Sequence, residues 1–296
     1  MKYSGKLFRP LLTCLILEAY GKDPDEYKSV ITISELVHSS SLILDDIADA
    51  SLTRRGATCS HLTYGIPRAA NASCAMTFHT FQMIKALLPG LKTETKVMLY
   101  EMLLWEHYVT EIGSALDLGW SLNKNNQVSE DEFMQHVLFR SCSYTYRHAA
   151  RLGAIVGGAD AKDLEAIFNY STLLGLGFQL VDDILNLKPE LASWGKTVAE
   201  DITEGKRSLL VLYCLSSASD NDRCRLLEIL DSHASKTNEL QEAIDILERY
   251  GSFAYVRNKA QGYINEAIDA VKQLDIPEKH KVLLVDFARY VIDRKI

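Results

Sequence analysis

The sequence predicts an all-α fold, a large helical bundle around a central cavity, and three observations predict it. Apolar residues recur at three- and four-residue spacing over long windows, with no run of short alternating strands. Pro24, Pro67, Pro89, Pro189 and Pro277 each fall near the end of a periodic stretch, where a missing N–H does least damage. Several stretches are apolar on more than one face, notably 11–17 and 170–180, as suits helices buried among other helices.

Taken in order, helices are predicted over 8–20, carried by Leu11–Leu17, and over 25–50, opening after Pro24. Those over 67–87 and 91–118 are separated by Pro89. The helix over 130–157 opens on Ser129 and Glu132, a capping box ahead of Phe133, Val137 and Leu138. The helix over 161–188 stops before Pro189. Helices over 204–217, 222–232, 237–249, 252–273 and 278–294 follow and read as scaffold, because polar clustering is confined to the start of that region.

At 296 residues with no Pro/Gly/Ser-rich linker, the chain is read as one domain over 1–296. The net charge of -7 is spread along the chain, so no basic stripe offers itself to a nucleic-acid backbone. No uninterrupted apolar stretch approaches the roughly eighteen residues of a membrane span, and the N-terminal residues lack a secretion signal; a cytoplasmic protein is expected. Six cysteines, at 14, 59, 74, 142, 214 and 224, form no Cys-x-x-Cys pair and read as reduced core thiols.

The sharpest local feature is Asp45-Asp46-Ile47-Ala48-Asp49 at the end of an apolar helix. Asp45 and Asp49 stand one turn apart on one face, with Asp46 turned aside. A second cluster, Gln179 through Asp182, Asp183 and Asn186, is also set among apolar residues, and Gln179, Asp182 and Asn186 share a face. Two such helices facing each other make an acidic cleft whose natural counterion is a hard divalent cation. Mg2+ takes one or two carboxylates and leaves positions for water and phosphate oxygens. A solvated face or a cap explains one Asp-Asp pair well and two pairs poorly.

Basic residues complete the set. Arg54-Arg55-Gly56 follows the first cluster, and guanidinium forks suit phosphate oxygens. Lys6, Arg9, His38, Lys196 and Lys206 invite the same reading, although a lone histidine on an apolar helix is more often a packed core residue. The combination suggests one diphosphate held through metal ions and a second held directly by basic side chains. The chemistry that uses this arrangement is ionisation, with pyrophosphate leaving and an allylic cation remaining in an apolar tunnel.

These motifs resemble the trans isoprenyl diphosphate synthases, the family of farnesyl and geranylgeranyl diphosphate synthases, over nearly the whole chain. Asp45–Asp49 with Arg54-Arg55-Gly56 is similar to the first Asp-rich motif and its sequel, and Asp182–Asn186 to the second. Gly5-Lys6-Leu7-Phe8-Arg9-Pro10 and Gly195-Lys196 through Lys206 resemble the opening segment and the segment after the second motif.

The resemblance implies an isoprenoid-synthase-type bundle in which Asp45, Asp49 and Asp182 ligate three Mg2+ ions, supported by Asp46 and Asp183. Arg54, Arg140, Gln179 and Lys196 bind the allylic diphosphate, while Lys6, Arg9, His38 and Arg55 bind isopentenyl diphosphate; Ser141 and Lys206 complete the catalytic set. It further implies condensation of dimethylallyl, geranyl or farnesyl diphosphate with isopentenyl diphosphate, and a homodimer.

Two departures stand out. Arg140-Ser141 replaces the family's Lys-Thr, and Ser114 replaces a glutamine after Gly113. The resemblance implies that chain length is set first at Ser40 and Ser41, which are small, and then at a floor around Thr77, Phe78 and Phe81, with geranylgeranyl diphosphate as the expected product. A class I terpene cyclase and a synthase of C25 or longer products remain the alternatives.

Overall fold

The computed structural model describes residue 5 and residues 7–87, 90–124, 127–188 and 199–293. The chain runs through α1 (Phe8–Ala19), α2 (Lys28–Ala48), α3 (Ser60–Tyr64), α4 (Ile66–Leu87), α5 (Thr93–Leu122) and α6 (Glu130–Val137). A π-helical stretch, Leu138–Arg147, leads directly into α7 (His148–Gly157) and then α8 (Ala161–Leu187). Next come α9 (Glu200–Thr203), α10 (Leu209–Ser217), α11 (Asp220–Asp231), α12 (Thr237–Arg249), α13 (Ser252–Val271) and α14 (Glu278–Asp293). Among the described residues no helix is long and apolar enough to cross a membrane.

The anticipated helices form with small shifts at their ends, and the differences have local causes. A 3-10 turn over Pro24–Tyr27, in which the Asp23 carboxylate accepts from the Asp25 N–H at 3.0 Å, delays α2 to Lys28. The Ser129–Glu132 capping box is present, with the Glu132 N–H donating to Ser129 at 3.2 Å and the Ser129 N–H donating back at 2.8 Å. The segment after Asp49 is a two-stranded hairpin, β1 (Thr53–Arg54) against β2 (Ala57–Thr58). Its two turn residues, Arg55 (φ 54°) and Gly56 (φ 75°), are both left-handed, as a tight hairpin demands. The helix expected from 204 begins instead at Leu209, behind the short α9. All six cysteines are free; Cys59, Cys142 and Cys214 are core thiols as expected, whereas Cys74 and Cys224 are exposed.

Two apolar cores form around the helices. One gathers α8 with α1, α7, α10, α13 and α14, and includes the fully buried Tyr170, Leu174 and Leu180. The other joins α2, α4, α5 and α7 through Ile33, Ile84, Leu103 and Leu152. The π-helical stretch is wedged between α5 and α8, and two glycines let it in. A Cβ on Gly113 would stand 2.5 Å from the Arg140 backbone nitrogen, and one on Gly175 would stand 2.8 Å from Cys142 Sγ. The wider turn of a π stretch changes where its side chains point, a device common at functional sites. Here it carries Arg140, Ser141 and Tyr144 to the end of the bundle where α2 and α8 present their aspartates.

Candidate active site

A cleft of about 190 Å³, open to solvent, lies between the ends of α2, α5 and α8 and the π-helical stretch. Its walls bring together Asp45, Asp49, Arg54, Arg140, Ser141, Gln179, Asp182, Asp183 and Lys206 from the residues singled out in the sequence. Asp117, His136, Tyr144, Asn186, Asp201 and Glu204 line it as well. Of these, Asn186 belongs to a motif singled out in the sequence; His136 carries no such signal, although it stands one helical turn before Arg140.

Asp46 is turned aside as its spacing predicts, and it is 4% exposed. Its carboxylate accepts two bonds from Arg54, from Nε at 2.8 Å and Nη2 at 2.5 Å, so the hairpin is clamped to α2 by a fork-to-carboxylate pair. Asp45 is neutralised from a distance in sequence: Arg140 Nη2 stands 3.4 Å from Asp45 Oδ1, while Nη1 of the same fork donates to Asp117. Burial works against the Arg140 charge, yet Asp117 and Asp45 raise its pKa above the ordinary arginine range. On α8, Gln179 donates to Asp183 at 2.7 Å, and Asn186 accepts the Asp201 N–H at 3.1 Å, tying the second motif to the segment that carries Lys206.

The cleft is short of positive charge. Burial pushes the carboxyl groups of Asp49, Asp183 and Glu204 upward, Glu204 to about 7, with neighbouring acids adding to the effect. Burial alone would lower the Lys206 ammonium, but Asp201, Glu204, Asp49 and Asp117 hold it well above the usual lysine range. Among the described residues no three His, Cys, Asp or Glu side chains converge tightly enough to hold a metal on their own. Spread oxygen donors fit an ion that keeps waters and takes the rest of its ligands from a bound phosphate, which is the habit of Mg2+.

A second basic group lies beside this cleft. Arg55 Nη2 is 3.5 Å from the buried Glu35 carboxylate, and Arg9 donates to Thr145 Oγ1 at 3.2 Å, leaving its Nε without a partner. Gly5 packs on the Arg55 guanidinium, where a Cβ would come within 2.9 Å of Nη2. His38 stacks on Tyr144 at 6.2 Å, which joins this cluster to the cleft wall. Burial first, then Arg9, Arg55 and Arg54, drive the His38 imidazole well below its usual range, so it is a neutral donor among cations. Lys6 and Lys196 lie outside the described residues.

Of the residues assigned to chain length, Ser40 is buried, and Thr77 donates to its hydroxyl at 3.2 Å. Ser41 is half-buried beside Tyr144. Phe81, one turn beyond Thr77, packs inward against Tyr100 and against His107 at 5.7 Å. Phe78 does not belong to this group. Its ring is 69% exposed on the outer face of α4, because the helical period that turns Thr77 and Phe81 inward turns position 78 outward.

Residues 1–247 match the polyprenyl synthetase family. The chain is 33% identical to a short chain isoprenyl diphosphate synthase of Methanothermobacter thermautotrophicus, over 98% of this chain and 87% of that protein. It is 32% identical to a geranylgeranyl diphosphate synthase of Methanosarcina mazei, over 98% of this chain and 86% of that protein. The crystal structure of geranylgeranyl pyrophosphate synthetase from Pyrococcus horikoshii superposes with a TM-score of 0.86 at 28% identity, covering 98% of this chain and 86% of that one.

Proposed function

This chain belongs to the polyprenyl synthetase family, the trans isoprenyl diphosphate synthases, which condense an allylic diphosphate with isopentenyl diphosphate, and we propose that its product is geranylgeranyl diphosphate. The observation that carries the catalytic reading is the pairing of two unlike sites. An acidic cleft holds Asp45, Asp49 and Asp182, and a separate cluster of Arg9, His38 and Arg55 stands beside it. A cyclase that ionises one diphosphate has no use for the second cluster.

Asp45, Asp49 and Asp182 would hold the divalent ions, three Mg2+ in our reading, which supply charge neutralisation for the departing pyrophosphate. Arg140 and Arg54 donate to the same diphosphate, with Lys196 beside them, and Gln179, Asp183 and Lys206 fix the α8 side of the cleft. Arg9, His38, Arg55 and Lys6 receive the diphosphate of isopentenyl diphosphate, whose double bond attacks the allylic carbon as pyrophosphate leaves. The proton lost from the adjacent carbon passes to pyrophosphate. Ser41 and Tyr144 lie along the start of the hydrocarbon path, and Ser40, Thr77 and Phe81 continue it.

Geranylgeranyl diphosphate is favoured by small residues near the metals and by the inward packing of Phe81 deeper down. Phe78 drops out of the floor, and this same observation favours a longer product as the second reading. A second copy of the chain is the expected partner, and the exposed Phe78, Leu104, Trp105, Tyr108 and Ile112 of α4 and α5 give it an apolar surface to cover.

The test is product analysis with Mg2+, isopentenyl diphosphate and each of dimethylallyl, geranyl and farnesyl diphosphate. A twenty-carbon linear diphosphate is expected, and its loss on chelation. Cyclic hydrocarbon formed without consumption of isopentenyl diphosphate would overturn the reading.

A further inference from the structure

Resting on the condensing activity proposed above, we infer that His136 is a positioning residue that holds Asp117, and through it the Arg140 fork, for the allylic diphosphate. His136 is 5% exposed and lines the cleft, and neither of its ring nitrogens has a hydrogen-bond partner. Buried polar atoms in that condition are rare and call for an explanation. The ring is gripped by Trp120, edge-on at 5.1 Å, and by Phe133 at 5.8 Å, so its direction is fixed by packing. That direction puts Nε2 3.8 Å from Asp117 Oδ1.

Asp117 Oδ2 accepts from Arg140 Nη1, and Arg140 Nη2 reaches Asp45 at 3.4 Å. An imidazole, a carboxylate, a guanidinium and a second carboxylate therefore follow one another across α6, α5, the π-helical stretch and α2. Burial first, then Arg140 and Lys206, push the imidazole down to about 4 against the pull of Asp117, so the ring is neutral and keeps one N–H to give.

A separation of 3.8 Å is just beyond hydrogen-bond length. Contacts of this kind in empty sites commonly tighten once the ligand is bound. Were Asp45 to turn to a divalent ion, Arg140 would lose one of its two acceptors and depend on Asp117 alone. A carboxylate gripped at its far oxygen by His136 cannot follow the guanidinium towards the phosphate. This matters for an arginine, whose planar fork must be oriented as well as placed.

The test uses His136→Phe, which fills the space between Trp120 and Phe133 without a donor, and His136→Gln, which keeps an N–H. Both are made in the Arg140 protein and in Arg140→Lys, and turnover is measured with farnesyl diphosphate, isopentenyl diphosphate and Mg2+. His136→Phe is expected to lower kcat/KM for farnesyl diphosphate by about tenfold or more, the worth of one hydrogen bond to a charged group. KM for isopentenyl diphosphate should stay unchanged, and His136→Gln should recover most of the loss.

In the Arg140→Lys background the same substitution should cost less than about twofold, because residues acting through one another do not add. Equal losses in both backgrounds, or a glutamine as damaging as the phenylalanine, overturn the inference. So does a rise in KM for isopentenyl diphosphate. If His136→Phe does not fold, His136→Met takes its place in the same cycle. A parent protein that condenses nothing would instead sink the functional reading beneath it.

Discussion

Replacing Gly113 by alanine tests whether the π-helical stretch is held against α5 by the absence of a side chain. The added Cβ would stand 2.5 Å from the Arg140 nitrogen and 2.9 Å from its Cα. The nearer contact falls short of the 3.4 Å at which ordinary van der Waals contact begins by about 0.9 Å. The atoms it meets are backbone, so no flexible side chain can swing aside, and the two elements must part by most of that distance. Overpacking of this kind costs about 1–3 kcal/mol. For a chain of this size that corresponds to a fall in Tm of roughly 2–6 °C.

The larger effect is on turnover, because Arg140 moves with its backbone, and a misplacement of about 1 Å at a reacting centre can cost about a hundredfold. Calorimetry or thermal circular dichroism measures the first effect, and turnover with farnesyl and isopentenyl diphosphates the second. An alanine variant with the parent's unfolding midpoint and kcat would refute the claim that this contact positions Arg140.

The remaining predictions address other parts of the cleft. Phe81→Ala should lengthen the product distribution and Phe78→Ala should leave it unchanged, read by chromatography of products made from farnesyl diphosphate; lengthening by the second substitution alone would reverse the assignment. Asp46→Ala deprives the Arg54 fork of its buried acceptor and should lower stability by about 1–3 kcal/mol, measured by urea unfolding with Arg54→Ala and the double variant as the cycle. Glu204 carries a folded-state pKa of about 7, raised from 4.5 chiefly by burial. A raised carboxyl stabilises the fold below its unfolded pKa and loses that contribution as pH climbs through the folded value, at most about 3 kcal/mol between the two. Glu204→Gln should therefore flatten the decline in stability from about pH 4.5 to pH 7, and an unchanged slope in denaturant unfolding across that range would count against it.

What the sequence made legible is what a single helix can state by itself. Asp45 and Asp49 share a face because a helix repeats every 3.6 residues, and the cleft holds both of them with Asp46 turned inward. The capping box at Ser129 was equally local. The rest of the site depends on contacts that spacing does not encode. Arg140 answers Asp45 from 95 residues away. It can do so because a π-helical stretch redirects it and Gly113 admits that stretch, and neither the widened turn nor the close approach leaves a mark in apolar periodicity. Phe78 faces outward for a related reason: a bulky side chain suggests a floor, but only the phase of the helix says which way it points, and Thr77 and Phe81 take the inner positions.

Charge explains why these non-local contacts exist in this form. With several acids meeting in one cleft, Arg54 pairs with one carboxylate, Arg140 with two, and Lys206 is held among four. Among the described residues eight carboxylates line the cleft against four cationic side chains, and burial raises the pKa values of Asp49, Asp183 and Glu204 further. In the neighbouring cluster the balance runs the other way. Among the described residues Arg9 and Arg55 share the carboxylate of Glu35, and the His38 imidazole near them is kept neutral. Among the described residues, carboxylates outnumber cations in one site and cations outnumber carboxylates in its neighbour, so the two sites present opposite charge to whatever they bind.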